Sequence, residues 1–387
     1  MRTAVVGVAL LALGGLLVGL GVLPAEAALA VAERVWPILL FVVAITVVTE
    51  LAAEAGLFRE LAHLAARGGL RRAWMLWLIV VLIAVASTVF LSLDTTAVLL
   101  TPVVVLLARH VGVSPIPFAL TTVWLANTGS LLLPVSNLTN LLAQHALHNL
   151  SPLGFATLMA LPALVAVVVP CLVLFLVFRR ELLVTYHPEE PETLQDRALF
   201  IASAATVALI LPLLVSGIPV WIPASVGAVV LLGFFAVRRR AVLRLGLIPW
   251  QVVLLASGLF LVVEAAHSLG LGNALTALAG SGDGPLALLR LSATAASGAN
   301  LVDNLPAYLA LEPVAGSPAR IAALLIGTNA GPLITPWASL ATLLWHQRLK
   351  SLGVEISWTR YALLGLLVVP LTIVPAVLVL ALAQSSL

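Results

Sequence analysis

Long runs of apolar residues recur along the whole chain and are separated by short stretches rich in arginine, proline and glycine. A helix rises 1.5 Å per residue, so about 20 apolar residues cross the ~30 Å hydrocarbon core of a bilayer. Runs of that length predict spans at about 3–23, 31–53, 153–179, 197–215, 218–237, 248–268 and 359–384. The short alternating segments that are typical of barrel strands do not occur, so the pattern predicts an all-α polytopic membrane protein.

Two pairs of longer apolar segments are interrupted by polar residues. The first pair covers about 74–109 and 115–150, and the second covers about 285–311 and 318–350. Gly and Pro inside an apolar run free backbone groups that hydrocarbon cannot satisfy. The pattern therefore predicts, in each pair, a re-entrant hairpin followed by a broken transmembrane helix.

The two halves of the chain resemble each other in order and in spacing. Trp36 and Glu50 stand fourteen residues apart, as do Trp250 and Glu264. The other matched features are Asp94 with Asp303, Pro170 with Pro375, and the segment Asn127–Asn140 with Asn329–Thr342. We expect inverted repeats at residues 1–179 and 217–387, joined by a linker and a connecting helix at 180–216.

Composition and charge support the membrane assignment and predict its orientation. The chain is 62% hydrophobic and 9% charged, whereas soluble domains carry about 25% charged residues. The net charge of +3 reflects arginines at helix ends, which act as topology signals and argue against a nucleic-acid partner. With the hairpins re-entrant, 16 of the 19 basic residues share one side, and the exceptions are Arg34, Arg290 and Arg320. The positive-inside rule then predicts a bacterial inner-membrane protein with a cytoplasmic N-terminus and an external C-terminus.

The N-terminal run is also similar to a signal peptide, because Arg2 and the apolar stretch 4–23 precede the sequence Ala25-Glu26-Ala27. The stretch is longer than the usual apolar region of ~7–15 residues, and it has a counterpart in the second half. We therefore expect it to remain in the protein as a helix.

Polar residues cluster at the helix breaks, where a transporter built from inverted repeats places its solute site. A paired Asn-x-Gly-x₄-Pro pattern begins at Asn127 in the first half and at Asn329 in the second. The hydroxyl and amide groups of these segments can bind a polar solute, or they can cap the half-helices as N-cap residues do. The predicted solute-binding residues are Asn127, Thr128, Gly129, Ser136, Asn137, Thr139, Asn329, Gly331, Thr335 and Ser339.

Two acidic residues, Asp94 and Asp303, stand at the predicted hairpin tips. A charge at bilayer depth costs ~2.5–3.5 kcal/mol, so such residues commonly serve ions or protons. We expect Asp94 and Asp303, with their neighbours Thr95 and Asn304, to couple solute movement to an ion or a proton. An Asp at such a place also caps a half-helix, and both roles can hold together. The next candidates for coupling, near the ends of two spans, are Glu50 and Glu264.

The remaining reactive residues indicate no cofactor and no catalytic centre. The single cysteine, Cys171, lies inside an apolar run and cannot form an internal disulfide. His145 and His148, with His346 in the other half, offer too few ligands for a metal site and fit helix ends. The chain has no P-loop motif and no facing pair of nucleophile and base, so we expect a protein that is not an enzyme.

Four segments resemble the ArsB arsenite-efflux family of the ion transporter (ArsB/NhaD) superfamily. They are Leu93–Pro102, Pro134–Asn140, Asn300–Pro306 and, as the most specific, Gly327–Trp345. The resemblance implies an inner-membrane carrier that exports the trivalent hydroxides of arsenic and antimony in exchange for protons. It also implies a separate ATPase as a potential partner.

Three departures from the family pattern leave the solute and the coupling ion open. The family usually has Asp-Gly where this chain has Asp94-Thr95, Asn in place of Asp303, and Ser-Asp in place of Thr328-Asn329. Sodium/proton antiporters of the NhaD type and sodium-coupled dicarboxylate or anion carriers share the broken-helix plan. Because no Lys or Arg lies at the breaks, a neutral solute that needs only hydroxyl and amide partners fits better than a carboxylate.

Overall fold

The computed structural model describes residues 2–148, 150–186 and 196–385. Residues 187–195 of the predicted linker, including Pro188 and Pro191, lie outside the described residues. The helices of the first half are α1 (Arg2–Gly19), α2 (Ala25–Glu54), α3 (Leu57–Gly68), α4 (Ala73–Leu91), α5 (Thr101–His110), α6 (Pro115–Thr128), α7 (Leu138–Ala146) and α8 (Pro152–Leu182). A π-helical segment, Thr95–Leu100, leads into α5.

The second half repeats this order after one connecting helix, α9 (Arg197–Leu214). Its helices are α10 (Trp221–Arg238), α11 (Trp250–Ser268), α12 (Leu271–Ala279), α13 (Pro285–Val302), α14 (Asn304–Ala315), α15 (Pro318–Ala330), α16 (Leu340–Ser351) and α17 (Trp358–Ser385). Seven described helices are long and apolar enough to cross a membrane, namely α2, α4, α8, α9, α10, α11 and α17. The predicted fold class, an all-α polytopic membrane protein of two inverted repeats with re-entrant hairpins and broken helices, is confirmed.

Several predicted spans differ from the helices at their ends. The first helix stops at Gly19 rather than near residue 23, because the chain turns at Gly21, whose φ of +73° favours glycine. Helix α2 begins at Ala25, directly after Pro24, and is therefore longer than the predicted span 31–53. Apolar runs mark the hydrocarbon-crossing part of a helix, whereas the helix itself continues into the interface.

The first helix of each half packs against the second helix of the other half. Helix α1 runs along α11, and α10 runs along α2. Glycines allow the close approach of α1 to α11, since a Cβ on Gly258 would lie 2.5 Å from the backbone nitrogen of Leu11. A Cβ on Gly7 would lie 2.7 Å from the backbone nitrogen of Leu255. The two halves are thus interleaved at their outer helices.

Contacts between helix ends define one face of the molecule, which we call the basic face. Arg109, at the end of α5, donates to the carbonyls of Leu352 (2.5 Å) and Gly353 (3.1 Å), just before α17. Arg72, before α4, pairs with Thr185 at the end of α8. Arg360 at the start of α17 stacks on the ring of Phe178, near the end of α8. Both ends of the first hairpin, α4–α5, therefore lie on the basic face.

The second hairpin, α13–α14, begins and ends on the other side, which we call the opposite face. Ser317, after α14, donates to Asp283, before α13, at 2.6 Å. The three arginines that broke the predicted charge pattern lie here and are all engaged. Arg34 pairs with Glu312. Arg290 donates to the carbonyls of Ala277 and Leu278 at 2.6 and 2.8 Å. Arg320 donates to the carbonyls of Gly280, Gly282 and Ala315 at distances between 2.7 and 3.1 Å.

Candidate functional site

Both hairpin tips and both helix breaks meet at one cavity between the halves. Its walls come from α2, α11, the tips 92–94 and 303–305, and the breaks at 135–141 and 339–341. The cavity offers about 80 Å³ to the centres of water-sized molecules, where one water needs roughly 10–15 Å³. It therefore has room for a small solute. Its lining residues, as far as the chain is described, include two carboxylates and no Lys, Arg or His.

The two hairpin tips have the same backbone conformation, but the residues that correspond to each other are not the pair that the sequence indicated. Ser92, the residue that follows α4, has φ +108° and ψ 160°, and Asp303, the residue that follows α13, has φ +135° and ψ 157°. Ser92 is therefore the positional equivalent of Asp303, and Asp94 is the equivalent of Leu305. The match of Asp94 with Asp303 is wrong by two residues, because each acid lies in an apolar run that carries no other mark of register. Both acids nevertheless line the cavity.

Asp303 holds together the starts of two helices. Its carboxylate accepts hydrogen bonds from the amide of Leu305, at 3.0 Å, and from the amide of Leu340 at the start of α16. The next residue, Asn304, is buried, lines the cavity and donates its backbone N–H to the carbonyl of Ala338 at 2.9 Å. Free amides at helix starts favour a negative partner. The capping role predicted as an alternative for Asp303 is thus confirmed.

Asp94 differs from Asp303 in that nothing holds its carboxylate. It makes no hydrogen bond or ion pair with any described residue, and it lines the cavity partly exposed. Its neighbour Thr95 turns away from the cavity, since its hydroxyl donates to the carbonyl of Leu91 at 3.1 Å and lies 3.3 Å from the hydroxyl of Ser92. Of the four predicted coupling residues, three line the cavity, and Thr95 supports the hairpin turn.

Asn329 reaches from the second half into the first half's helix break. Its Oδ1 accepts from Asn137 Nδ2 at 3.2 Å and from Thr139 Oγ1 at 3.0 Å. Its Nδ2 donates to Asn140 Oδ1 at 2.7 Å. All four side chains are buried, and Asn137 also lines the cavity. The predicted solute ligands Asn137, Thr139 and Asn329 are therefore engaged with one another and with Asn140, and they lock the two broken helices together.

The equivalent position in the first half has no such partners. Asn127 donates to the carbonyl of Val123 at 2.9 Å, but its Oδ1 is buried and accepts no hydrogen bond. The hydroxyls of Thr128 and Ser339 are likewise buried without a partner. Ser339 lines the cavity, whereas Asn127 and Thr128 lie outside its lining. A buried polar atom without a partner costs about 1–3 kcal/mol, so these atoms are candidates for a partner that comes and goes.

Other predicted solute residues build the breaks instead of lining the cavity. Ser136 donates to the carbonyls of Leu133 (2.7 Å) and Val89 (3.2 Å), which ties the first break to α4. Thr335 donates to the carbonyl of Asn300 at 2.8 Å, which ties the second break to α13. None of these side chains contributes to the cavity lining.

The two glycines of the paired pattern have different roles. A Cβ on Gly331 would lie 2.2 Å from the carbonyl oxygen of Gly327 and 2.5 Å from the Cβ of Ala296, so only glycine fits between α15 and α13. A Cβ on Gly129 would meet only the side chains of Thr88 and Val167, at an ordinary 3.9 Å. Gly331 is therefore required for packing, and the space at Gly129 would admit a side chain.

Sequence reasoning missed two contributors. Asn300 shapes the second break, because its Oδ1 accepts from the amides of Ile334 (3.2 Å) and Thr335 (3.0 Å) and its Nδ2 donates to Gly331 O (2.8 Å). Its position in the Asn300–Pro306 segment was a usable signal. The walls from α2 and α11, including Thr46, come from apolar runs that carry no such signal. Among the described residues, no three His, Cys, Asp or Glu side chains converge as metal ligands would.

Known proteins resemble this chain over most of its length. A family model described as "Citrate transporter" (CitMHS) matches residues 1–342. The arsenical pump membrane protein of Escherichia coli (strain K12) is 30% identical over 364 residues, covering 86% of this chain and 83% of that protein. The one from Yersinia enterocolitica is 32% identical over 372 residues with the same coverage.

The crystal structure of the Alcanivorax borkumensis YdaH transporter shares the fold, with a TM-score of 0.58 at 17% identity, covering 99% of this chain and 98% of that one. The predicted resemblance to the ArsB family is confirmed. The chain therefore belongs to the citrate transporter (CitMHS) family within the ArsB/NhaD superfamily, and it is a multi-pass membrane transporter related to the arsenical pump membrane proteins.

Proposed function

We propose that this transporter exports arsenite and antimonite in exchange for protons. The observation that carries the proposal is the chemistry of the central cavity, which is lined by Asp94, Asp303, amides and hydroxyls and by no basic side chain of the described chain. Arsenic trihydroxide is neutral and offers three hydroxyls. It can therefore bind to Asn304, Ser339 and the cavity carboxylates without charge repulsion.

A carboxylate solute fits this cavity less well. Two carboxylates in the wall repel an anion, and a medium of lower dielectric strengthens that repulsion. Such a solute would have to enter with bound cations. The name of the matched family, citrate transporter, keeps this alternative worth testing, whereas the names of the relatives favour the arsenical.

Asp94 is the residue to which we assign proton coupling. An unpaired carboxylate at bilayer depth is costly when charged, and a proton removes that cost. A solute hydroxyl or a proton can each satisfy this carboxylate, and the two compete for it. Competition at one group is the simplest way to couple the entry of a proton to the exit of a solute.

The orientation that we propose has the basic face in the cytoplasm, the N-terminus inside and the C-terminus outside. It treats residues 1–179 and 217–387 as the two repeats around the connecting helix. An alkaline phosphatase fused after Leu387 should then be active, because that enzyme needs the oxidising periplasm. An inactive phosphatase fusion combined with an active cytoplasmic reporter at the same place would reverse the orientation.

The experiment that tests the function is solute flux into everted membrane vesicles with an imposed pH gradient. Arsenite, sodium and citrate are offered in parallel, and Asp94→Asn serves as the matched variant. We expect accumulation of arsenite that collapses when the gradient is dissipated. Accumulation of sodium instead of arsenite would support a sodium/proton antiporter, and accumulation of citrate would support a dicarboxylate or anion carrier. Adding and omitting a separate ATPase subunit in the same vesicles tests the ATPase partner.

A further inference from the structure

A second group of ionisable side chains lies between the central cavity and the opposite face. Arg34 of α2, Glu264 and His267 of α11, and Glu312 of α14 line one small pocket. None of them lines the central cavity. Glu312 is 9% exposed and Arg34 is 28% exposed. Ionisable groups this deep in a membrane protein are costly and commonly belong to ion or proton pathways. We call these four residues the outer cluster.

The ion pair in the outer cluster joins the two halves of the protein. Arg34 Nη2 donates to Glu312 Oε1 and, at 3.5 Å, to the carbonyl of Leu142 in α7. Arg34 precedes Phe41, the first cavity residue of α2, by seven residues, which is about 10 Å of helix. Glu312 follows Leu305, the last cavity residue of α14, by the same distance. The pair thus bridges three elements just beyond the cavity.

The pair also stands beside a route out of the cavity. Leu141 lines both the central cavity and a larger vestibule on the opposite face. Arg34, Gln144 and Trp221 form part of the vestibule wall. Because Arg34 contacts the carbonyl of the residue that follows Leu141, it holds α7 against α2 at the point where cavity and vestibule meet. Separation of these helices would connect the two spaces.

His267 connects α11 and α14 within the cluster. Its Nδ1 lies 2.9 Å from the carbonyl oxygen of Val263, and its Nε2 lies 3.0 Å from that of Ala310. These contacts hold α14 against α11. The ring shares its pocket with Arg34 and with the carboxylates of Glu264 and Glu312.

The other surroundings of the cluster add little charge. Tyr308 of α14 is the remaining titratable side chain near Glu312, and its buried hydroxyl has no hydrogen-bond partner. Helix α12, which follows α11, contains no ionisable residue. Helix α1 contains only Arg2, at the end of the helix that runs beside the start of α11. On α7, His145 lines the vestibule together with Arg34, whereas the ionisable groups that share the pocket of Glu312 are those of the outer cluster.

We propose that the outer cluster is a second proton site that latches the exit of the cavity. With Glu312 ionised, Arg34 bridges α2, α7 and α14 and keeps the vestibule separate from the cavity. A proton on Glu312 removes its attraction for Arg34 and frees the helices to part. The latch is complete at pH values above the titration of this carboxyl and is lost as the pH falls through it. The assignment of its protons to the export cycle rests on the proposed function, since protons arriving from outside would open the exit.

The test measures access to the cavity mouth rather than transport. Cys171→Ala removes the native thiol, and Leu141→Cys places one where cavity and vestibule meet. A membrane-impermeant maleimide is applied to intact cells and, separately, to everted membranes, which separates an error in orientation from a failed latch. We expect labelling from the opposite face to rise as the pH falls, after correction for thiol ionisation with a free-cysteine standard. Glu312→Gln should raise labelling at neutral pH by about tenfold and abolish its pH dependence.

Three further variants make the outcome decisive. Asp283→Asn removes a carboxylate of the same face outside the cluster and should leave labelling unchanged. Arg34→Glu should open the mouth, and adding Glu312→Arg should close it again by restoring the pair, which a mere folding defect would not do. Equal labelling of Glu312→Gln and Asp283→Asn at every pH, or no rescue by the reversed pair, would overturn the latch. Labelling needs no arsenite, so a failed arsenite assay would not contradict the latch. A failed labelling assay would likewise not contradict arsenite export.

Discussion

The two halves approach the central cavity with the same backbone plan but treat their polar groups differently. In the second half, two backbone amides bind Asp303, and both ends of the Asn329 side chain are hydrogen bonded. In the first half, Asp94 has no hydrogen bond to any described residue, and the Oδ1 of Asn127 is buried without a partner. Equivalent places in a repeat therefore need not have equivalent roles.

The difference indicates how a duplicated structure becomes a transporter. Duplication supplies two hairpins and two helix breaks that meet at the centre. Differences at single residues then give the two halves different roles. We infer that Asp303 and Asn329 of the second half hold the site together, and that Asp94 and Asn127 of the first half, with Ser339, offer the groups that change partners.

The largest effect is expected from Asp94→Asn. The amide cannot release a proton, so accumulation driven by a pH gradient should disappear while downhill exchange of solute continues. Both modes are measured in the same vesicles, with the amount of protein in the membrane as the control. Full gradient-driven accumulation by Asp94→Asn would move the proton site to another residue and remove the main contrast with Asp303.

Next in size is the contrast between Asn329→Ala and Asn127→Ala. Removal of Asn329 breaks three interhalf hydrogen bonds and leaves Asn137 and Asn140 with unpaired groups, which should cost about 1–3 kcal/mol of stability. Removal of Asn127 deletes an atom that already lacks a partner, so thermal unfolding should hardly change. Unfolding in detergent gives the first comparison, and flux shows whether the Asn127 amide contacts solute. Equal destabilisation by both would contradict the proposed division.

A smaller effect is expected at Asp303. Asp303→Asn keeps a side chain that caps helices, whereas Asp303→Ala removes the cap and should cost about 1 kcal/mol. We therefore expect the alanine variant to unfold at a lower temperature and the asparagine variant to resemble the parent in both stability and pH-driven flux. A loss of uphill flux in Asp303→Asn with unchanged stability would make this acid a coupling residue as well.

The smallest effect concerns Asp196, an exposed cap that serves as a reference for the buried one. The hydrogen bond from Arg238, aided by the amides of Leu199 and Ala198, lowers the pKa of the Asp196 carboxyl below its usual value of 3.8. Since the folded-state pKa is depressed, its contribution is present above the unfolded value and lost as the pH falls through the folded one. The melting temperatures of the parent and Asp196→Ala should therefore differ slightly at neutral pH and converge as the pH falls through the folded-state titration of this carboxyl. A difference in melting temperature that increases as the pH falls would contradict a depressed folded-state pKa of Asp196.

Much of the fold could be predicted because its signals are local. A run of about 20 apolar residues indicates that a helix crosses the bilayer, and Gly, Pro and Asn inside such a run indicate that the helix is broken there. The paired pattern that begins at Asn127 and Asn329 located both breaks correctly. The register of the hairpin tips was missed by two residues, since α4 and α13 carry no local mark that aligns Ser92 with Asp303.

The amino-acid sequence by itself determined an all-helical membrane chain, two related halves and four polar interruptions, because hydrophobicity and chain breaks act within a few turns of helix. The tertiary structure alone decided which polar groups are engaged. Asn329 meets Asn140 across 189 residues, and Arg34 meets Glu312 across 278 residues. Such pairs depend on how helices from two halves pack, so Asp303 and Asn329 are engaged, whereas Asp94 and the Oδ1 of Asn127 are not.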